Sequence, residues 1–150
     1  MSMPRFVGII RVKPAEVIGE EMQSDAEIER IGMEFVKEYE TQNGRIPEDV
    51  SAEKMGFDIR SKDRDGKVQR YIEVKTRAEI GAVALTQNEW FKAKRFKDEY
   101  YLYTVMNATQ KPKLYIIQNP AEKLEPEERV EVRYIVPFEE IIAKGGKDIG

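Results

Sequence analysis

Two neighbouring segments of the chain combine two acids and a lysine at strand spacing. The first is 56–60 (Gly-Phe-Asp-Ile-Arg), and the second is 70–75 (Arg-Tyr-Ile-Glu-Val-Lys). Successive residues of a strand point to opposite faces, so Glu73 and Lys75 share one face of the second segment. If Asp58 lies beside them, carboxylates next to an ammonium group could hold a divalent cation against a phosphodiester. The pattern therefore predicts a metal site.

A hairpin would bring these two segments together. Asp65-Gly66 lies between them, and Asp-Gly favours a two-residue turn because it tolerates positive φ angles. A turn at these two residues pairs Asp58 with Glu73 and Ile59 with Ile72. Directly opposed Cβ atoms are about 4.5–5.5 Å apart, and opposed carboxylates repel unless a cation compensates. An ordinary solvated hairpin is the alternative, and the spacing alone leaves it open.

The composition excludes several chemistries. The 150-residue chain is 41% hydrophobic and 35% charged, as expected for one globular domain. It has no Cys and no His, which removes zinc sites of the Cys/His type, a histidine base, a cysteine nucleophile and disulfides. Any metal would need oxygen ligands, which suits Mg²⁺, Mn²⁺ or Ca²⁺. No apolar run is long enough for a membrane span, and no signal peptide is visible, so a cytoplasmic location without membrane contact is expected.

The charges are unevenly distributed along the chain. The net charge is −3, but residues 60–97 hold eleven Lys/Arg against five Asp/Glu, a net charge of +6. This basic block surrounds the predicted hairpin and the helix after it, whereas residues 1–59 are acidic. Nucleic acid is therefore an expected partner, although solvated faces of a charged protein explain such a block equally well.

The periodicity of apolar residues predicts an α/β domain with a mixed sheet. The expected helices are 24–41 with a capping box at Ser24, 86–97 with a capping box at Thr86, and a short helix from Pro137. The expected strands are the hairpin 57–75 and the segments 82–85, 100–106, 113–118 and 130–136, with 45–55 as a loop. Residues 1–23, including a short strand at 5–12, are expected to connect to a domain spanning 24–150.

Several stretches together resemble a known family. They cover roughly residues 28–120: Tyr39-Glu40, 44–51, 56–59, 71–75, 85–90 and the tyrosine-rich segment 100–105. The chain resembles the restriction-endonuclease-like PD-(D/E)xK superfamily and, within it, the NO VEIN C-terminal domain family. The resemblance implies a restriction-endonuclease-like mixed sheet flanked by helices. It also implies a nuclease module of the kind that accompanies helicases, restriction enzymes and other multidomain DNA-processing proteins.

The resemblance assigns a role to each residue of the hairpin site. Asp58 and Glu73 would bind Mg²⁺ or Mn²⁺, with the Val74 carbonyl as a further ligand. Lys75 would orient or activate the attacking water and stabilise negative charge on the phosphate. The superfamily usually adds an acid from the first helix, and Glu40 is the favoured candidate here because it matches the family's Tyr-Glu pair. Two other acids of that helix remain alternatives, Glu34 and Glu38, and a solvated helix face explains most of these acids.

Five further residues are candidates for contacts with nucleic acid: Arg60, Arg77, Thr86, Lys92 and Arg95. Thr86 could present a helix N-terminus to a phosphate, but a helix cap worth about 1 kcal/mol explains it as well. The basic side chains could contact backbone phosphates or could simply be solvated.

Two classes of function follow from these patterns. The first is a metal-dependent nuclease, or nuclease module, that hydrolyses phosphodiester bonds in DNA and acts in restriction, in repair or with a helicase. The second is a catalytically silent nucleic-acid-binding or protein-interaction module on the same fold. A homodimer would suit cleavage of both strands, although the sequence shows no interface.

Overall fold

The computed structural model describes residues 18–146, with side chains from residue 25 onward. The elements in this range are α1 (Ile18–Gln42), β1 (Ile46–Asp49), β2 (Ile59–Lys62), β3 (Val68–Thr76), α2 (Gln87–Phe96), β4 (Tyr100–Met106), β5 (Lys113–Gln118), α3 (Pro120–Lys123) and α4 (Phe138–Lys144). The strands form one sheet in the order β1-β2-β3-β4-β5. Only β3 and β4 pair in parallel. The predicted α/β class with a mixed sheet is therefore confirmed.

The two long helices cover opposite faces of the sheet. Val36 of α1 packs against Ile72 in one buried cluster, and Ala93 of α2 packs near Tyr71 in the other. Because neighbouring strand residues point to opposite faces, Tyr71 and Ile72 assign the helices to different sides. The parallel pairing of β3 with β4 requires a crossover, and α2 supplies it. None of the described helices has the length and apolar character needed to cross a membrane.

The hairpin turns through three residues instead of the predicted two. The Asp63 N–H donates to the Lys67 carbonyl over 2.8 Å, and Gly66 takes a φ of 83°, which glycine adopts readily. A bulge beside the turn then shifts the pairing by one residue. The shift brings Ile59 opposite Ile72, so that part of the predicted register is confirmed.

Two strand predictions near the hairpin are wrong. Residues 46–49 form β1 instead of a loop, and the edge position explains how Pro47 is tolerated there. Residues 82–85 form no strand, because β3 already has β2 and β4 on its two sides. The segment instead belongs to the crossover loop, where Arg77 Nη1 donates to the Ala82 carbonyl over 3.0 Å.

The two ends of the described chain also differ from prediction. Helix α1 begins at Ile18, so Ser24 lies within it and does not start it. Residues 130–136 form no strand, although the short helix after Pro137 is present as α4. The predicted strand at 5–12 lies outside the described residues.

Helix α1 crosses β3 so closely at Gly32 that no side chain fits between them. A Cβ atom at this position would overlap Oγ1 of Thr76. We expect Gly32→Ala to lower the free energy of unfolding by about 1–3 kcal/mol, although alanine is the better helix former. Denaturant unfolding measures this change. Gly146→Ala is the matched control, since nothing lies within 4 Å of that position. An unchanged unfolding midpoint for Gly32→Ala would contradict the close crossing.

Candidate metal-binding cleft

A cleft of about 360 Å³ opens on the α2 side of the sheet. Asp58, just before β2, and Glu73, on β3, line one part of it. The start of α2 lines another part through Thr86, Asn88 and Glu89. The crossover loop 77–86 returns the beginning of α2 to the end of β3, where Glu89 contacts Lys75. The cleft therefore joins the hairpin acids to a helix N-terminus.

Asp58 and Glu73 lie side by side in this cleft. Asp58 Oδ2 accepts a hydrogen bond of 2.9 Å from the Val74 N–H, which holds the carboxylate against β3. The Glu73 side chain is only 3% exposed. Burial, the charge of Asp58 and the hydrogen bond between the two side chains together raise the pKa of Glu73 to about 10. Glu73 therefore keeps its proton at neutral pH when no cation is bound, and a divalent cation beside Asp58 would favour its charged form.

Lys75 supplies part of the compensating positive charge. Its Nζ lies 2.8 Å from Glu89 Oε1 and 3.7 Å from Glu73 Oε2. Burial acts to lower the pKa of Lys75, but the contact with Glu89 and the charge of Glu73 outweigh it and raise the pKa above its ordinary value. Lys75 does not line the cleft itself; it contacts two residues that do. The ammonium group is thus held between Glu73 and Glu89.

Glu89 has two roles, of which the sequence indicated only one. The predicted capping box is confirmed: Thr86 Oγ1 accepts from the Glu89 N–H over 3.1 Å, and the Thr86 N–H donates to Glu89 Oε1 over 2.8 Å. The same Oε1 atom contacts Lys75. Glu89 therefore couples the start of α2 to the hairpin site. No local signal in the sequence shows this role, because the contact between Glu89 and Lys75 is made across the loop 77–86.

The structure does not bring Glu40 to this cleft. Glu40 is fully buried on the α1 side of the sheet, where Arg45 donates two hydrogen bonds to it, of 2.6 and 2.8 Å. Tyr103 donates a third, of 2.8 Å. Tyr103 pairs with Val74 and so faces away from Glu73. Glu40 thus belongs to a buried ion pair on the opposite face, and we leave it out of the candidate site.

Burial and hydrogen bonding act on Glu40 in opposite directions. Burial acts to raise the pKa of Glu40, but the hydrogen bonds from Arg45 and Tyr103 prevail and lower it. Ser61 lowers this pKa as well, although its buried Oγ has no hydrogen bond of acceptable geometry. The carboxylate is therefore stabilised in its charged form, as a structural ion pair requires.

Two of the predicted nucleic-acid contacts are engaged within the protein. Arg60 Nε donates to Glu48 Oε1 over 2.9 Å, and Arg77 holds the crossover loop through the Ala82 carbonyl. Both side chains therefore have local partners that explain their positions.

The other three candidates lie on or beside α2. Thr86 caps the helix and lines the cleft. Lys92 packs against Gly56 of the cleft wall, so closely that a Cβ atom on the glycine would lie 3.0 Å from Lys92 Cβ. Arg95 is exposed in the last turn of the helix. The structure thus places Thr86 at the cleft and Arg95 farther along the same helix. Lys92 lies behind the cleft wall, with its Nζ 5.3 Å from the centre of the Phe96 ring.

The donor atoms in the cleft suit a hard cation. Within residues 18–146 no three acids converge closely enough to form a complete metal cage. Two carboxylates are nevertheless sufficient for Mg²⁺ or Mn²⁺, which often keep several water ligands. A divalent cation between Asp58 and buried Glu73 would displace the Glu73 proton and neutralise both carboxylates. Asp58 and Glu73 would hold such an ion, and the adjacent Val74 backbone is the source of a further oxygen.

The comparison with known families confirms the resemblance to the NO VEIN C-terminal family. The family model described as "Protein NO VEIN, C-terminal" matches residues 28–117, from within α1 to within β5. The match includes Asp58, Glu73, Lys75 and Glu89 and excludes the segment around α4. No curated protein and no solved structure gives a significant match. Because the family model matches more than half of the chain, the chain belongs to the NO VEIN C-terminal family.

Proposed function

We propose that this domain is a metal-dependent nuclease of the restriction-endonuclease-like PD-(D/E)xK superfamily, acting on phosphodiester bonds in DNA inside the cell. One observation carries the proposal: buried Glu73 lies beside Asp58, with Lys75 within 3.7 Å of the Glu73 carboxylate. Burying an acid beside a second acid destabilises a fold, so the presence of Asp58 and Glu73 in a cleft favours a functional role over a structural one.

Each residue of the site has a part in the proposed reaction. Asp58 and Glu73 would hold Mg²⁺ or Mn²⁺; such an ion lowers the pKa of water and neutralises phosphate charge. Lys75 would add a fixed positive charge next to Glu73, where negative charge grows on the phosphate. Glu89 keeps the ammonium group in place through its 2.8 Å contact. The open cleft of about 360 Å³ leaves room for a backbone phosphate.

The surroundings of the cleft support nucleic acid as the substrate. Residues 60–97 carry a net charge of +6 in a chain whose net charge is −3. Thr86 of this block lines the cleft, Lys92 packs against Gly56 in the cleft wall, and Arg95 is exposed on the same helix. Phosphate contacts from such side chains position a nucleic acid without reading its sequence. A partnership with a helicase or another DNA-processing protein would supply target choice.

Cleavage of labelled substrates tests the proposal. The purified chain would be incubated with single-stranded, duplex and methylated DNA and with RNA, in Mg²⁺, in Mn²⁺ and in EDTA. We expect cleavage of at least one DNA substrate with a divalent cation and none in EDTA. Cleavage that persists in EDTA would contradict a metal-dependent mechanism. Cleavage of RNA alone would overturn DNA as the substrate.

A silent nucleic-acid-binding module is the second candidate, and one observation favours it. Lys75 is already paired with Glu89, and none of the α1 acids whose side chains are described, from residue 25 onward, lines the cleft. Binding that weakens steeply with salt, without cleavage of any substrate, would support this alternative. Absence of both binding and cleavage would favour a protein-interaction domain.

A glutamine at position 89 separates the two roles of Glu89. Glu89→Gln keeps an oxygen for the Thr86 N–H but removes the charge that holds Lys75. We expect kcat for cleavage to fall by about tenfold, since a displaced catalytic group loses orientation, while the thermal midpoint changes little. Glu99→Gln, at an exposed acid just after α2, is the matched control. An unchanged kcat for Glu89→Gln would show that Glu89 serves only as a cap.

A further inference from the structure

The segment that ends the described chain is exposed throughout. Every residue from 125 to 146 is exposed, including large apolar side chains. Val130 is 85% exposed, Val132 75% and Tyr134 92%. Contiguous exposed apolar side chains in a folded protein mark an interaction site. This segment, residues 125–146, is called the C-terminal arm below.

The arm has the sequence of a strand but makes no strand pairing in the described structure. Val130, Val132 and Tyr134 alternate with Glu131 and Arg133, which is the period of a half-buried strand. Glu131 and Arg133 already lie on one side, since Arg133 Nη2 contacts Glu131 Oε2 over 2.9 Å. The arm therefore has the apolar and charged faces of a strand, but no segment among residues 18–146 pairs with it through backbone hydrogen bonds.

We propose that two copies of this chain dimerise through their C-terminal arms, which pair as antiparallel strands centred on Val132. In this register Val132 lies opposite itself and Val130 lies opposite Tyr134 of the second copy. Glu131 of each copy then lies opposite Arg133 of the other, which gives two complementary charge pairs. A twofold axis through Val132 makes the interface self-complementary, as a closed dimer requires.

Other registers lose either the pairing of apolar side chains or the pairing of opposite charges. Centring the pairing on Glu131 or Arg133 would oppose two like charges, which destabilises paired strands. Centring it between two residues would oppose apolar and charged side chains, because the faces of a strand alternate.

Centring the pairing on Val130 would keep complementary charges, since Glu131 would oppose Arg129. It would, however, place Val132 opposite Glu128. The charge and apolar patterns of the arm together therefore favour a second copy as the partner, in the register centred on Val132.

Helix α4 supplies the second layer that such a ribbon needs. An isolated two-stranded ribbon is marginally stable in water. Phe138, Ile141 and Ile142 are each more than half exposed and share one face of α4 by their spacing. The helix begins directly after Pro137, so this apolar face can cover the apolar face of the paired arms. Dimerisation would bury the apolar face of α4 together with the apolar face of the paired arms.

Charge reversal in the arm tests the proposal, with sedimentation velocity on the whole chain as the measurement. We expect a dimer for the wild type. Glu131→Arg or Arg133→Glu alone should raise the dissociation constant of the dimer by at least about tenfold, since each places like charges opposite one another. An equimolar mixture of the two variants, and the double variant E131R/R133E, should restore the dimer. Both positions are about three-quarters exposed, so the fold itself tolerates the changes.

Single cysteines test the register independently, because the chain contains no Cys. Val132→Cys should form an intermolecular disulfide on mild oxidation, since directly paired strand residues lie within disulfide range. Tyr134→Cys should not, because the two thiols would be about 13 Å apart along the strands. A monomeric wild type, or a dimer that neither charge variant weakens, would overturn the proposal. A monomer whose arm is protected from proteolysis would identify an intramolecular partner instead.

Discussion

Replacing Lys75 by alanine should lower the rate of DNA cleavage at saturating metal by about a hundredfold or more. Removal of one charged or hydrogen-bonding group that stabilises developing negative charge has effects of about 10²–10³ in other enzymes. Lys75→Ala removes the ammonium group but leaves Asp58 and Glu73 in place. Single-turnover cleavage with enzyme in excess measures the effect without contributions from product release.

The matched control for Lys75 is Lys67→Ala, in the exposed turn of the same hairpin. This variant should cleave at the wild-type rate, because the turn does not line the cleft. Glu73→Gln should abolish cleavage together with metal binding, whereas Lys75→Ala should retain metal binding. Equal cleavage by Lys75→Ala and the wild type would remove Lys75 from the mechanism.

Replacing Glu40 by glutamine should lower the free energy of unfolding by about 3–5 kcal/mol. The change leaves the largely buried Arg45 guanidinium without its counter-ion, and breaking a buried ion pair from one side has a cost of this size. Chemical denaturation at pH 7 measures it. Glu34→Gln, at an exposed acid of the same helix, should change stability by less than about 0.5 kcal/mol. A Glu40→Gln variant as stable as the wild type would contradict the structural role assigned to this residue.

The same ion pair makes stability depend on pH in a defined direction. The folded-state pKa of Glu40 lies below its ordinary value of 4.5, because hydrogen bonds from Arg45 and Tyr103 outweigh burial. The stabilisation is therefore complete above pH 4.5 and is lost as the pH falls through the lowered folded-state pKa. The difference in stability between the wild type and Glu40→Gln should shrink in acid. A difference that stays constant from pH 7 to pH 3 would contradict this linkage.

Local signals predicted the elements that hold the candidate site. The apolar pairing of Ile59 with Ile72 is correct, although the turn beside it contains a bulge. The capping box of α2 and the strands 100–106 and 113–118 also agree with the structure. Each of these features depends on neighbours in sequence, on alternation or on a cap, and such features are visible without tertiary information.

Features that depend on distant partners could not be predicted. The segment 46–49 has the composition of a loop, and only its pairing with β2 makes it a strand. The segment 82–85 has residues that are typical of a strand, but β2 and β4 already occupy both sides of β3. Glu40 borders the apolar stripe of α1. Nothing in the sequence shows that Tyr103, far along the chain, would donate a hydrogen bond to it on the face of the sheet opposite the cleft.

Isothermal titration calorimetry with Mn²⁺ tests most directly whether Asp58 and Glu73 form a divalent-cation site. Wild-type protein and Glu73→Gln would be titrated side by side, with Glu79→Gln as the control at an exposed acid. We predict one binding site in the wild type and in the control, and no binding heat in Glu73→Gln. Identical isotherms for all three proteins, or no binding by the wild type, would contradict a metal site in the cleft.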